Sequence, residues 1–416
     1  MSITTIIKIS VFVFVSGLIL STISGCKRDP DMSNDVLLDG PIDPNIVEAN
    51  TKFGFNLFNE ILKTEDNSNI FISPFSISVA VAMTLNGAAG DTEEGMVNTL
   101  QLHNIDTEVI NPGYAILQQT LQVADPKVTL TLANSLWGNQ EFSFDSEYRQ
   151  RNSQFFEAEI TSLDFRDPSS VNSINHWVND KTNGNIPEII DEISSDDVLF
   201  LLNAVYFKGS WQTEFDPTNT RDAMFHLADG SNKPVPMMFR EDKYPFFYSK
   251  EFQAVSLPYG DGRISMYIFL PSNDSDLNTF LESLNIENWE EWISQFSERK
   301  VGVNIPKFKL EYKIELNQIL KNLGMETAFN HNQADFSRMV STDTALTGNL
   351  YISKVDHKTF VEVNEEGTEA AAVTGIGISV TSLPPQFTVN RPFFFAIRDN
   401  ETGTILFMGT VVDPLA

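Results

Sequence analysis

Apolar positions along the chain change their spacing repeatedly, which predicts a mixture of helices and strands. From residue 46 to residue 62 they recur at helical spacing and predict an amphipathic first helix. Further helices are predicted at 76–86, 93–100, 145–156, 171–182 and 315–323. Runs rich in β-branched and aromatic residues predict strands at 128–137, 198–208, 254–257, 265–270, 301–305, 359–363, 393–397 and 405–411.

No Pro/Gly/Ser-rich linker and no internal repeat interrupts this alternation after residue 46. The mixture of elements is irregular and does not follow a βαβ repeat, so it favours an α+β domain. The 416 residues include 42% hydrophobic residues and 32 Phe, enough for a substantial core. We therefore expect one folded domain over residues 46–416.

The chain carries a formal net charge of −28, and no basic stripe offsets it locally. A surface of this sign repels phosphate backbones, so nucleic acid is not an expected partner. It equally disfavours docking of the folded body on anionic headgroups or sulfated polysaccharides. Attachment to a membrane would therefore need an anchor separate from the folded domain.

The N-terminus resembles a bacterial lipoprotein signal. Lys8 precedes an apolar run at 9–20, and small residues lead to Cys26, the only cysteine of the chain. We expect residues 1–25 to be removed, Cys26 to be lipidated, and residues 26–45 to form a flexible tether to the periplasmic or cell-surface face of a bacterial membrane. An ordinary signal peptide or an uncleaved anchor, with an incidental cysteine, is the alternative.

Enzyme motifs are missing from the sequence. It contains no G-x-S-x-G, H-E-x-x-H, P-loop or dinucleotide-binding pattern, and the five His residues are scattered without metal-ligand spacing. One cysteine at the N-terminus leaves no thiol nucleophile for the folded body. We expect no catalytic residues, no metal and no cofactor.

Four segments together resemble the serpin family. They are NIFISPFSI at 69–77, LNAVYFKGSW at 202–211, EEGTEAAA at 365–372 and NRPFFFAI at 390–397. The resemblance covers the chain from residue 46 to its end. It implies a single, monomeric domain of three β-sheets and eight or nine helices, with an exposed reactive loop at 365–391.

The resemblance also implies a mechanism, in which a serine protease cuts the loop and is trapped as a covalent complex while the loop inserts into the main sheet. The hinge of this loop would comprise Glu365, Glu366, Gly367, Thr368, Glu369, Ala370, Ala371 and Ala372. A polar cluster beneath the sheet, the shutter, would comprise Ser73, Ser76, Asn203 and His357. At the top of the sheet, the breach, Lys307, Trp211 and Glu365 would lie together.

The loop alternates as an inserting strand must. Its even positions from 368 to 380 carry only Thr, Ala, Ile and Val, so one face could be buried. The other face carries one charge, Glu369, and no Pro interrupts the stretch. This pattern favours an inhibitor over a plain surface loop.

The family's usual loop length places the cleaved bond between Thr381 and Ser382, with Val380 as the alternative site. No basic residue lies between Lys358 and Arg391, so a trypsin-like pocket would find no partner. Thr or Val suits elastase-like or subtilisin-like proteases. Residues 93–103 carry no Lys or Arg, so no glycan cofactor is expected. The alternative function is a non-inhibitory serpin acting as a lipid-anchored binding or structural protein.

Overall fold

The computed structural model describes residues 40–65, 67–341, 349–367 and 384–416. Within these ranges there are nine α-helices: α1 (Pro44–Leu62), α2 (Pro74–Leu85), α3 (Gly90–Thr99), α4 (Thr107–Gln122), α5 (Ser146–Phe156), α6 (Ser169–Lys181), α7 (Leu277–Glu282), α8 (Ile286–Ser294) and α9 (Asn317–Leu320).

The same ranges contain fourteen strands: β1 (Ile70–Ile72), β2 (Val128–Asn139), β3 (Glu159–Leu163), β4 (Leu199–Gly209), β5 (Arg221–His226), β6 (Asn232–Tyr248), β7 (Phe252–Pro258), β8 (Ile264–Pro271), β9 (Ser297–Pro306), β10 (Phe308–Glu315), β11 (Lys354–Val363), β12 (Gln386–Thr388), β13 (Phe393–Asp399) and β14 (Ile405–Val411). The α+β class predicted from the sequence is confirmed.

The central sheet has five strands in the order β10-β11-β4-β2-β3. Strand β4 runs antiparallel to β2 and parallel to β11. One face of the sheet packs on a main core that includes α2, whose twelve residues are all buried. The other face packs on α6 through a second cluster that contains Ile174, Val178 and Leu202.

The remaining strands form a second sheet of nine in the order β1-β14-β13-β8-β7-β6-β9-β12, with β5 paired to β6. Three sheets were expected, and two of them are joined here because β6 is 17 residues long and pairs with β5 and β9 as well as β7. The elements are those of the expected fold, connected as one continuous ladder.

Helix α1 begins two residues before the boundary that the apolar pattern suggested. Asp43 accepts a hydrogen bond from the backbone N–H of Asn45 (2.9 Å), and Pro44 occupies the first helical turn, where its missing N–H costs nothing. The last two residues of the predicted tether, 44 and 45, are therefore helical. None of the described helices is long and apolar enough to cross a membrane.

Several regions differ from the sequence-based expectation. Residue Glu315, predicted to start a helix at 315–323, ends strand β10, and α9 covers only Asn317–Leu320. Helix α4 and strand β6 were not predicted, since Pro112 lies inside the helix and Pro234, Pro236 and Pro245 lie inside the strand.

Candidate functional site

A row of polar side chains crosses the middle of the apolar central sheet. Asn134 on β2 lies opposite Asn203 on β4, and Asn203 lies beside His357 on β11. All three residues are buried. Because buried polar groups are costly unless they are hydrogen-bonded, this row needs partners on the core side of the sheet.

His357 uses both ring nitrogens. Its Nε2 accepts a hydrogen bond from the backbone N–H of Ser73 (3.1 Å), so the proton resides on Nδ1, which faces Asn203 Oδ1 at 2.5 Å. Burial lowers the pKa of His357 to about 3. The imidazole is therefore neutral at physiological pH and acts as a fixed donor and acceptor.

Asn203 extends the network to α2. Its amide donates to the hydroxyl and the carbonyl oxygen of Ser76, and also to Asn134 Oδ1. Ser73 caps α2 by accepting from the backbone N–H of Ser76 (3.3 Å), and its own hydroxyl donates to Leu406 O on β14 (2.7 Å). The four shutter residues predicted from the sequence are thus in one hydrogen-bonded cluster, which ties β4 and β11 to the helix beneath them.

Asn134 belongs to this cluster but was not predicted. Its Nδ2 has no hydrogen-bond partner among the described residues, although the atom is buried. The available signal was a lone Asn inside the predicted strand 128–137, and only the pairing register with β4 shows what it contacts.

Strands β4 and β11 are direct neighbours over seven residue pairs, from Phe200–Lys354 to Tyr206–Phe360. Their pairing ends there, three residues before either strand ends. We call this parallel junction the seam. The seam is closed along the shutter and open at its upper end.

A tight turn reverses the chain at that open end. Asn364 and Gly367 exchange two backbone hydrogen bonds, both 3.3 Å long, so the chain starts back antiparallel to β11. Gly367 has φ +104°, and a Cβ atom there would lie 2.4 Å from both Gly209 O and Trp211 N. Only glycine fits this position without displacement, because both the space and the backbone angle exclude a side chain.

The segment after β4 holds this turn through its backbone. Trp211 N–H donates to Glu366 O (3.1 Å), Phe215 N–H donates to Glu365 O (2.8 Å), and Trp211 Nε1 donates to Asn364 O (2.9 Å). The Trp211 ring stacks on Tyr259 with centroids 4.3 Å apart. The hinge is therefore fixed against the end of β4 up to Gly367.

Glu365 forms the ion pair at the top of the sheet. Its Oε2 lies 2.7 Å from Lys307 Nζ, and its Oε1 accepts from Thr220 Oγ1 at 2.7 Å. Burial acts to raise the pKa of Glu365, but the hydrogen bonds from Lys307 and Thr220 outweigh it and lower the pKa. The breach residues Lys307, Trp211 and Glu365 thus lie together, with Thr220 as a partner that was not predicted.

The far end of the predicted loop is part of the second sheet. Residues Gln386–Thr388 form β12 beside β9, and Phe387 and Val389 are fully buried. The exposed loop is therefore shorter than 365–391, since the alternating apolar residues 387 and 389 mark a strand. The predicted residues Thr368, Glu369, Ala370, Ala371, Ala372, Val380, Thr381, Ser382 and Cys26 lie outside the described residues.

Comparisons with known proteins agree with this architecture. A family model described as "Serpin (serine protease inhibitor)" matches residues 48–414. The chain is 36% identical to human Serpin B11 over 88% of this chain and 98% of that protein, and 38% identical to the leukocyte elastase inhibitor of Sus scrofa over 88% and 98%. The native-state crystal structure of the thermophilic serpin tengpin matches with a TM-score of 0.83 and 34% identity, covering 90% of this chain and 96% of that one.

A five-stranded central sheet, a buried polar row and a glycine hinge therefore define a protein of the serpin class. The chain belongs to the serpin family. Serpins are protease inhibitors rather than catalysts, so the prediction that this protein is not an enzyme is confirmed.

Proposed function

We propose that this serpin traps an elastase-like or subtilisin-like serine protease as a covalent complex. Cleavage occurs between Thr381 and Ser382, or after Val380, and the cut loop inserts into the central sheet. The turn at Asn364–Gly367 carries this proposal, because it brings Gly367 against Gly209 and Trp211, at the open upper end of the seam.

The pairing of this turn predicts where an inserted strand would lie. His357 is seven residues before Asn364, and Thr374 is seven residues after Gly367. Extending the antiparallel register therefore puts Thr374 beside His357, on the shutter side of the sheet. The other even-numbered loop residues share that side, which is the small and apolar face of the loop.

Loop insertion would also increase the number of backbone hydrogen bonds in the central sheet. The closed seam is one parallel ladder, and a strand between β4 and β11 would replace it with two antiparallel ladders. The 14 residues from 368 to 381 span about 46 Å at ~3.3 Å per residue. A protease attached at residue 381 would be carried roughly that distance along the sheet.

The choice of target rests on the bait residues and on one relative. Thr381 and Val380 are medium-sized and uncharged, which suits a shallow pocket. The relative from Sus scrofa is named leukocyte elastase inhibitor. Elastase is therefore the first protease to test.

Incubation with elastase tests the trapping step. We expect a complex that survives boiling in detergent, together with a released C-terminal peptide that begins at Ser382. Thr368→Arg should abolish the complex and leave simple cleavage, because residue 368 faces the core in the inserted register and a buried unpaired charge is costly. Glu369→Arg is the matched control, since residue 369 is on the opposite face, and it should retain the complex.

Cleavage without a stable complex in the unmodified protein, with a panel that includes subtilisin, would contradict inhibition. It would instead support the non-inhibitory alternative. Equal complex yield from Thr368→Arg and Glu369→Arg would contradict loop insertion in this register.

We also propose that the protein is held at the periplasmic or cell-surface face of a bacterial membrane by lipid on Cys26. The signal-like segment 1–25 and the polar residues that follow Cys26 support this. Expressed with its signal in a bacterial host, the protein should partition into the detergent-rich phase, and Cys26→Ser should move it to the aqueous phase. Equal partition of the two proteins would exclude the anchor.

A further inference from the structure

Asp356 is a buried carboxylate at the seam. It precedes His357 on β11, lies opposite Leu202 of β4, and is 1% exposed. Because neighbouring strand residues point to opposite faces, Asp356 lies on the α6 side of the sheet, away from the shutter. Nothing in the proposed mechanism so far uses it.

The carboxylate is incompletely satisfied. Its Oδ2 has no well-aligned hydrogen-bond donor among the described residues, and the nearest cation, Lys354 Nζ, lies 3.3 Å away on the same strand. Burial raises the pKa of Asp356 to about 6, and Lys354 offsets this only in part. A buried carboxylate with so little compensation is a destabilising feature of the closed sheet when it is ionised.

Apart from Lys354, the charged groups around Asp356 do not supply a partner. From β10, Lys313 approaches but is paired with Asp191 (2.6 Å), while Glu315, opposite Asp356, adds a like charge. On β11 itself, Lys358 bonds Glu311 and the Glu188 carbonyl. The β4 residues beside it, 200–204, carry no charge. In the segment between α6 and β4, Asp197 interacts with Lys354 and with the like charges of Asp196 and Glu192.

We propose that Asp356 is a proton-controlled regulator of seam opening. Protonated, it stabilises the closed junction of β4 and β11; ionised, it favours opening, which exposes the carboxylate to water. This rests on the proposed function in one respect, that opening of the seam is the step that admits the loop.

The direction of the effect follows from linkage. The closed state holds the Asp356 proton up to about pH 6, whereas a solvated aspartate releases it near its ordinary pKa of 3.8. The closed state therefore binds more protons, and its stability falls as the pH rises through this range. With full exposure on opening, the population of the open seam should rise about tenfold between pH 5 and pH 7.5.

His357 acts in the opposite sense from the other face. Its pKa is lowered from 6.5 to about 3, so opening would let it take up a proton at low pH. The pH profile of the unmodified protein combines both groups. A test must therefore compare variants at the same pH, so that the contribution of His357 cancels.

Hydrogen exchange of the seam amides, residues 200–206 and 354–360, provides this comparison in the intact, uncleaved protein. The exchange rate of the unmodified protein divided by that of Asp356→Asn should rise about tenfold from pH 5 to pH 7.5. Asp222→Asn, at an exposed position on β5, is the matched control and should give a constant ratio. Asp356→Val, beside Leu202, replaces Asp356→Asn if that variant fails to fold.

A ratio that stays constant across this pH range would overturn the proposal. So would a ratio that changes equally for Asp222→Asn, since the cause would then be general charge. No protease takes part in this measurement. Failure to trap a protease and failure of Asp356 to control the seam are therefore separate outcomes.

Discussion

His357 holds the polar row together because both of its ring nitrogens are engaged. One bonds the N-terminus of α2 and the other bonds Asn203 across the seam. Since the ring stays neutral down to about pH 3, its contribution to stability is fully present above the ordinary histidine pKa of 6.5 and is lost progressively as the pH falls below it.

Removing this imidazole should destabilise the fold strongly. His357→Ala leaves the Ser73 N–H and Asn203 Oδ1 buried without partners, and we expect a loss of about 2–4 kcal/mol in the free energy of unfolding by urea. His176→Ala is the control, because that side chain is 78% exposed, and it should change stability by less than about 0.5 kcal/mol. Similar losses in the two variants would show that the shutter contributes little.

Single residues also mark the limit of prediction from sequence. The motifs NIFISPFSI and LNAVYFKGSW indicated Ser73, Ser76 and Asn203, because these residues lie in recognisable segments. Asn134 and Asp356 were not predicted, because the sequence does not show which residue of a neighbouring strand lies beside a polar residue in an apolar run. Their roles depend on the register of β4 with β2 and β11, which only the structure supplies.

At the scale of elements, strands with strong apolar or β-branched runs were predicted closely, such as β2 and β4. Helix α4 and strand β6 were not predicted because both contain proline, which is unfavourable inside helices and strands. Tertiary contacts stabilise both elements despite their prolines. The hinge was recognised from its sequence, but its conformation was not predicted. Only the structure shows that the hinge begins with a turn closed by two backbone hydrogen bonds and packed against Gly209 and Trp211.

The packing of this turn makes a specific prediction for Gly367→Ala. The added Cβ would clash with backbone atoms of Gly209 and Trp211 and would occupy a left-handed conformation, so we expect a loss of at least about 2 kcal/mol in urea unfolding. Gly230→Ala controls for the backbone term, since Gly230 has φ +83° with nothing within 4 Å, and should cost about 1 kcal/mol. Equal costs would mean that the turn is not clamped.

At the scale of the whole molecule, the closed seam is the strand pairing that loop insertion would replace. It joins β4 and β11 by a parallel ladder, with the shutter beneath it, Asp356 on the other face and the turn at its open end. Under the proposed mechanism, the shutter and the turn resist or guide opening, and Asp356 resists it only when it is protonated. We therefore expect the sheet to stay closed until a cut frees the loop.

A crystal structure of the protein cleaved by elastase is the most direct test of this account. We expect a sixth strand between β4 and β11, with Thr374 beside His357 and the backbones at Asn203 and His357 separated by about 9.6 Å, two strand spacings. Strands β4 and β11 still paired, with Asn203 directly beside His357 in the cleaved protein, would contradict it.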